Sequence, residues 1–289
     1  FGKTQILVYS GATVPASIVL HDTVGGIGCI ARDSIQTTGK DVLFLSNSGV
    51  RSFARTIIEK SAPLGDLSKN VRNDLAEILA GETFANIKSV YSEKEAFYLL
   101  TLPSVKEVYC FDTRGQLQDG SFRVTTWDLI EPTALLSRRN GDVLIGKNGY
   151  IGKYSGYQDD GSTYRFMYYT NHSDLGNANV TSILKRLRAI VIGGTNQFVT
   201  MKWGFDFMSN YLSANSGIPS QGVSEYGTAE YGANGSPLAQ YADGVALQTL
   251  SVPATGSGKI VQTGYESDIN GAPLSVQRIE IQYKDGKLS

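Results

Sequence analysis

The chain has 289 residues, is 41% apolar and 18% charged, and sets 26 basic against 27 acidic side chains. That supplies core for one large β domain or two smaller ones, and so balanced a charge gives no strong pull toward nucleic acid or an anionic membrane. No apolar run reaches the length of a membrane helix, and the two cysteines, Cys29 and Cys110, are too few for a disulfide framework and read as small buried side chains.

In chain order, residues 1–60 read as strands joined by turns, and Ile6-Leu7-Val8-Tyr9-Ser10-Gly11 reads as a strand closing a sheet, much like Ile151-Gly152-Lys153-Tyr154-Ser155-Gly156. The chain starts at Phe1 rather than methionine, so the expectation is a C-terminal portion of a longer protein. A pattern then recurs three times: an acid, an apolar run, a turn and a second run. The copies are Asp41 to Leu45 with Val50 to Phe53, Glu95 to Leu100 with Val108 to Phe111, and Asp142 to Ile145 with Ile151 to Tyr154. Their opening acids, Asp41, Glu95 and Asp142, stand 54 and 47 positions apart. Short strand-like runs at a period of about 50 residues are the mark of propeller blades, small sheets that need a neighbour on each face.

Residues 65–80 break the pattern. Apolar side chains at Leu67, Val71, Leu75, Ile78 and Leu79 follow helical spacing, Asp66 or Ser68 stands ready as a cap, and Gly81 marks a stop, which predicts a helix inserted between blades. Turns are expected at Asp112-Thr113-Arg114-Gly115, Asn140-Gly141, Asn148-Gly149, Asp160-Gly161 and Asn270-Gly271. Thr181 is expected to cap a short helix, Ser182 to Leu187, followed by strands at 189–192 and 197–203. Residues 209–246 are rich in Gly, Ser, Ala and Tyr, repeat Glu225-Tyr226-Gly227 as Glu230-Tyr231-Gly232, and predict an extended loop ordered by other subunits. Strands return at 259–264 and 276–283. The domains predicted are 1–171, blades with an inserted helix, and 172–289, a smaller β-sandwich.

No catalytic, cofactor-binding or metal-ligating set emerges. Gly26-Ile27-Gly28-Cys29-Ile30-Ala31 matches a dinucleotide string, but Arg32 to Gly39 is no helix, so the glycines read as a turn. Asp159-Asp160-Gly161-Ser162-Thr163-Tyr164 resembles the Asp-box hairpin of sialidase-type propellers, a fold device rather than an active site, and Arg123, Arg138, Arg139 and Arg165 are scattered. His172 beside Asp174 is a possible oriented base, with a polar linker the simpler reading. Trp203, Tyr226 and Tyr231 are the subunit-interface candidates; core packing is the simpler reading of Trp203, and an interface that of two tyrosines in a core-poor loop.

Gly28 to Gln36, Asp41 to Ser52, Lys60 to Pro63 and Ser68 to Leu75 together resemble the tail nozzle family of short-tailed bacteriophages, also called tail tubular protein B or stabilization protein. The repeat at Tyr226 and Tyr231 is similar to an aromatic–acidic repeat late in those chains. The resemblance implies an all-β fold with minor helix: a partial β-propeller, here its C-terminal blades, followed by a β-sandwich platform-type domain. It implies a virion component and not an enzyme: a homo-hexamer below the tail adaptor protein, beside tail fibres or spikes. DNA would pass its lumen without sequence specificity, and the ring would be assembled in the host cytoplasm. The alternative expectation is a carbohydrate-binding or sialidase-like propeller that reads host glycans.

Overall fold

The structure is a computed structural model and describes residues 1–11, 13–60, 65–128, 130–176, 179–194, 197–218 and 247–288. It is built mostly of antiparallel sheets and divides into two compact units, Phe1–Ser155 and Gly156–Ser289.

In the first unit the repeats are hairpins, each inside a small meander. Strands β1 (Gln5–Ser10) and β2 (Val19–Gly25) pair alone; β3 (Gln36–Thr37), β4 (Val42–Ser46) and β5 (Gly49–Ser52) form a three-stranded sheet. Two helices follow, α1 (Phe53–Glu59) and α2 (Arg72–Gly81). Then come a four-stranded sheet of β6 (Ser89–Ser92), β7 (Phe97–Leu102), β8 (Glu107–Gln116) and β9 (Phe122–Trp127), and a three-stranded one of β10 (Ala134–Ser137), β11 (Val143–Lys147) and β12 (Tyr150–Lys153).

Strand periodicity explains how these sheets sit together. Successive side chains point to opposite faces, so an apolar run without polar breaks buries both faces. In β7, Tyr98, Leu100 and Leu102 join a core with Leu43, Leu45 and Val50 of the preceding sheet. The alternate residues Phe97 and Leu99, with Val108 and Cys110 of β8, pack on Val143 and Ile145 of the following sheet. Phe44, between Leu43 and Leu45, faces the other way and meets Ile6 and Val24 of β1–β2. Sheets therefore stack face to face in chain order. Each fully buried Leu, Val or Phe in this series contributes about 1.5–3 kcal/mol. Among the described residues the sheets do not close into a ring.

In the first unit the helices differ from expectation in two places. The segment expected as helix 65–80 turns helical only at Lys69–Val71, a 3-10 turn leading into α2. Before it the backbone is extended: Asp66 bridges Arg51, and the Leu67 N–H donates to the Val50 carbonyl at 2.8 Å, prolonging the sheet beyond β5. Leu75 and Leu79 are the face that α2 buries. Helix α1 falls in a region expected to be strand. Its Ser52 Oγ accepts the Arg55 N–H at 3.1 Å, a helix N-cap, and Phe53 and Ile57, four apart, pack on the core around Phe44.

The second unit has two layers over one core. One sheet runs β13 (Tyr164–Tyr169), then β19 (Val261–Ile269), β15 (Phe198–Phe205) and β16 (Leu212–Gly217). The other centres on β14 (Val180–Gly193), which pairs with β17 (Leu247–Pro253), β18 (Ser257–Gly258) and β20 (Leu274–Leu288). Leu184, Leu187, Ala189, Val191 and Leu250 from the second sheet meet Val199, Met201, Trp203 and Tyr265 from the first. The expected helix at 182–187 is strand instead. Its ladder with β20 slips between Leu184 and Arg186, so inward residues run 182, 184, then 187, 189, 191. A bulge shifts the alternation by one and leaves the Leu184-to-Leu187 spacing that imitates a helix. The domain border also moves from 171/172 to 155/156, because β13 pairs with β19 of the second unit.

Of the expected turns, Asn140-Gly141 and Asn148-Gly149 close hairpins, and Asn270-Gly271 connects β19 of one sheet to β20 of the other, with the glycine at positive φ in each. Asp112 to Gly115 lies inside β8, where the ladder to β9 is interrupted until Gln116.

Candidate functional site

The acids that open the first and third repeats are hairpin clamps. Asp41 Oδ1 accepts the N–H groups of Val42 at 2.7 Å and Ala54 at 2.9 Å, while Oδ2 accepts the Ser52 hydroxyl. Asp142 is paired with Lys153 at 2.9 Å, and that bond from Lys153 is the chief reason its carboxyl lies below the usual range. Each acid sits in the turn before the central strand and grips the far end of the strand after it.

A buried polar knot holds the first helix-bearing segment to β5. Arg51 is fully buried; its Nε donates to Ser46 Oγ at 2.9 Å and its Nη2 to Ser48 Oγ at 2.7 Å. Burial pulls its guanidinium below the usual range. Asp66, also fully buried, accepts the Ser68 N–H and hydroxyl at 2.8 and 2.7 Å, and pairs with Arg72 at 2.5 Å. Gly49 at φ 125° lets the chain pass Ser68, whose hydroxyl a Cβ there would overlap.

Beside this knot lies a cleft of ≈ 450 Å³. Its floor is Leu43, Leu67, Phe122 and the half-buried Tyr91. Its rim carries Thr38, Asp41, Ser52 and Arg55 on one side and Thr113, Arg114 and Gln116 on the other. Arg55 spans the two sides, donating to the Gly120 carbonyl at 3.1 Å and to the Gln116 side chain. Arg114 is gripped by Asp112, Nε to Oδ1 and Nη2 to Oδ2, both at 2.9 Å. That grip lowers the Asp112 carboxyl and raises the Arg114 guanidinium from their usual ranges. No sequence motif marks this cleft; the stretch Asp112 to Gly115, where the ladder is interrupted, has the sequence of a turn.

The second unit has its own charge cluster. Glu266 on β19 is almost fully buried and accepts from Lys202 at 2.7 Å, from Tyr169 and from Arg165. Burial works to raise its carboxyl, but those three donors outweigh it and hold it at about 2. The cluster ties β13, β15 and β19 together.

The residues singled out from sequence fall as follows. Trp203 is 3% exposed in the second core, and its indole N–H donates to the Thr255 carbonyl at 2.7 Å. It is a core residue, not a surface anchor for a neighbouring subunit. Tyr226 and Tyr231, with most of the expected loop 209–246, lie outside the described residues; Leu212–Gly217 of that loop is strand β16. Gly28 is structural, since a Cβ there would overlap the Gly2 carbonyl. The Asp-box-like turn places both Asp160 and Gly161 at positive φ and leads into β13 of the second unit. His172 packs tilted against Phe207 with ring centres 4.3 Å apart, while Asp174 accepts the Gly176 N–H at 3.0 Å, so the two do not form an oriented base. Cys29 and Cys110 are free and buried, and burial pushes the Cys110 thiol up to about 12. Among the described residues no group of three or more His, Cys, Asp or Glu suits a metal, and no helix is long and apolar enough to cross a membrane.

No protein-family model and no curated protein matches the chain. Among solved structures it is similar to a Bacillus thuringiensis Cry1Da tryptic core variant at a TM-score of 0.23 and 12% identity, over 97% of this chain and 48% of that one. The chain thus spans about half the length of that structure. A likeness at this TM-score carries no argument about function.

Proposed function

We propose that the chain is a structural component of a phage tail, a nozzle subunit that forms a ring of six below the adaptor and extends the DNA channel. The observation that carries this reading is the series of small sheets in the first unit. Its inner sheets are buried on both faces, as blades are. Its outermost sheets are not: Leu7, Tyr9 and Leu20 at one end and Leu136 and Ile151 at the other remain exposed, Ile151 at 75%. Apolar side chains left open at both ends of a sheet series suit a propeller completed by further blades. In this reading the second unit takes the place of the platform domain, and the residues that resemble the nozzle family at 28–36 and 41–52 fall in the first.

The near-neutral charge suits a conduit. DNA held by many Lys and Arg contacts sticks in a salt-dependent way, whereas balanced walls let it slide. In this reading the tail fibre or spike attaches beside the ring, and the protein retains the genome until ejection without acting as an enzyme. Electron microscopy of phage particles labelled with an antibody to this chain tests it: label at the tail tip is expected, and label confined to another part of the virion, or none, contradicts it.

A further inference from the structure

We infer that the second unit binds a second copy of this chain edge to edge, with strand β13 of one copy pairing with strand β16 of the next. The sheet β13-β19-β15-β16 is antiparallel throughout, and among the described residues no strand pairs with the outer edge of β13 or of β16. Three antiparallel steps leave these two strands running in opposite directions. A copy set beside the sheet therefore continues it with the pairing it already has. Both edge strands have 6 residues, and neither ladder contains a register shift. Neither strand carries the Pro, Lys or bulge by which proteins blunt an exposed edge.

The backbone groups at the two edges match. The Thr170 N–H donates to the Thr263 carbonyl at 2.9 Å, so by alternation the N–H and C=O groups of Arg165, Met167 and Tyr169 point away from β19. The Ile218 N–H donates to the Gln197 carbonyl at 2.8 Å, so those of Ser213, Asn215 and Gly217 point away from β15. Both sets lie on the face opposite the core. Met167 stands across from Glu266 and Asn215 from Thr200, while the neighbouring Tyr265 and Met201 belong to the core. Setting Met167 opposite Asn215 thus meets free donors with free acceptors and keeps core face beside core face. The side chains fit as well. Phe166 and Tyr168 point to the core side yet are 37% and 50% exposed. In this register they lie beside Ser216 and Ala214, and Tyr169 lies beside Ser213, so large rings meet small neighbours. The sheet already packs that way internally, where the Tyr169 ring occupies the space a Cβ on Gly264 would take.

The contact rests on the nozzle reading only for the number of copies; repeated head to tail, it closes a ring where the rotation allows. The test is the whole chain carrying Met167→Cys and Asn215→Cys, oxidised and run on a non-reducing gel. Residues paired in this way have Cα atoms about 5.5 Å apart, within reach of a disulfide, and the native Cys29 and Cys110 are buried. Crosslinked multimers are expected from the double variant, while each single variant at equal concentration remains uncrosslinked. Adding Ser213→Pro, at an exposed residue whose N–H β15 does not use, is expected to lower the crosslinked fraction about tenfold or more with an unchanged melting curve. A double variant that stays uncrosslinked, a dimer from Met167→Cys alone, or a crosslink that Ser213→Pro leaves undiminished overturns the proposal. A multimer series that ends at a number other than six supports this pairing and contradicts the ring of six. Label at the tail tip without crosslinking counts against the pairing alone.

Discussion

Asp66 is the residue on which the first unit's polar interior turns. It is fully buried and faces Arg72 and the Ser68 N–H, with Arg51 across the bridge. Removing one member of such a knot leaves buried charge uncompensated, so Asp66→Ala should cost about 3–5 kcal/mol in chemical denaturation; a loss under about 1 kcal/mol contradicts this role. Gly49→Ala presses on the same knot from the backbone. Its φ of 125° is left to glycine, and the new Cβ would overlap the Ser68 hydroxyl, itself tied to the Val50 N–H at 3.0 Å. A loss of about 1–3 kcal/mol is expected by the same measurement. Glu266 makes a pH prediction. Its folded carboxyl lies at about 2, below the ordinary 4.5. A depressed folded value stabilises above the ordinary value and is lost as pH falls through the folded one. The melting temperatures of wild type and Glu266→Gln should therefore differ most above about pH 5 and converge toward pH 2; a gap independent of pH contradicts the ion-pair role.

At the scale of elements, alternation decides which positions matter. Leu100 lies fully buried in the middle of β7, so Leu100→Ala should cost about 2–5 kcal/mol. Ile151, on β12 and largely exposed, should change stability by no more than about 0.5 kcal/mol when made Lys. Equal effects from the two, measured by thermal unfolding, contradict the stacked-sheet account. The hairpins were legible in the sequence because the first run of each repeat is apolar at every position after its acid, Val42 to Leu45, Ala96 to Leu100 and Val143 to Ile145, the pattern of a strand buried on both faces. Helix α2 was legible through the spacing of Leu75 and Leu79. Two of the misread segments share one cause, a local break in period. The slip at Leu184–Arg186 made a long strand look helical, and the interruption after Asp112 made part of β8 look like a turn. Helix α1 is short enough that Phe53 and Ile57 alone carry its period. The cleft was invisible because its two sides, Asp41 to Arg55 and Thr113 to Gln116, meet only through the stacking of separate sheets.

For the whole molecule, the proposed role depends on number and arrangement rather than on any catalytic residue. A ring built from head-to-tail contacts closes only if each subunit offers two complementary surfaces, and obligate contacts of that kind bury large apolar areas. Cryo-electron microscopy of the native assembly carrying this chain measures this most directly. The account predicts six copies around an axial channel, with the sheets of residues 1–155 standing side by side as blades of a propeller. A lone subunit whose sheet series is completed by no further blades, or an assembly without an axial channel, contradicts it.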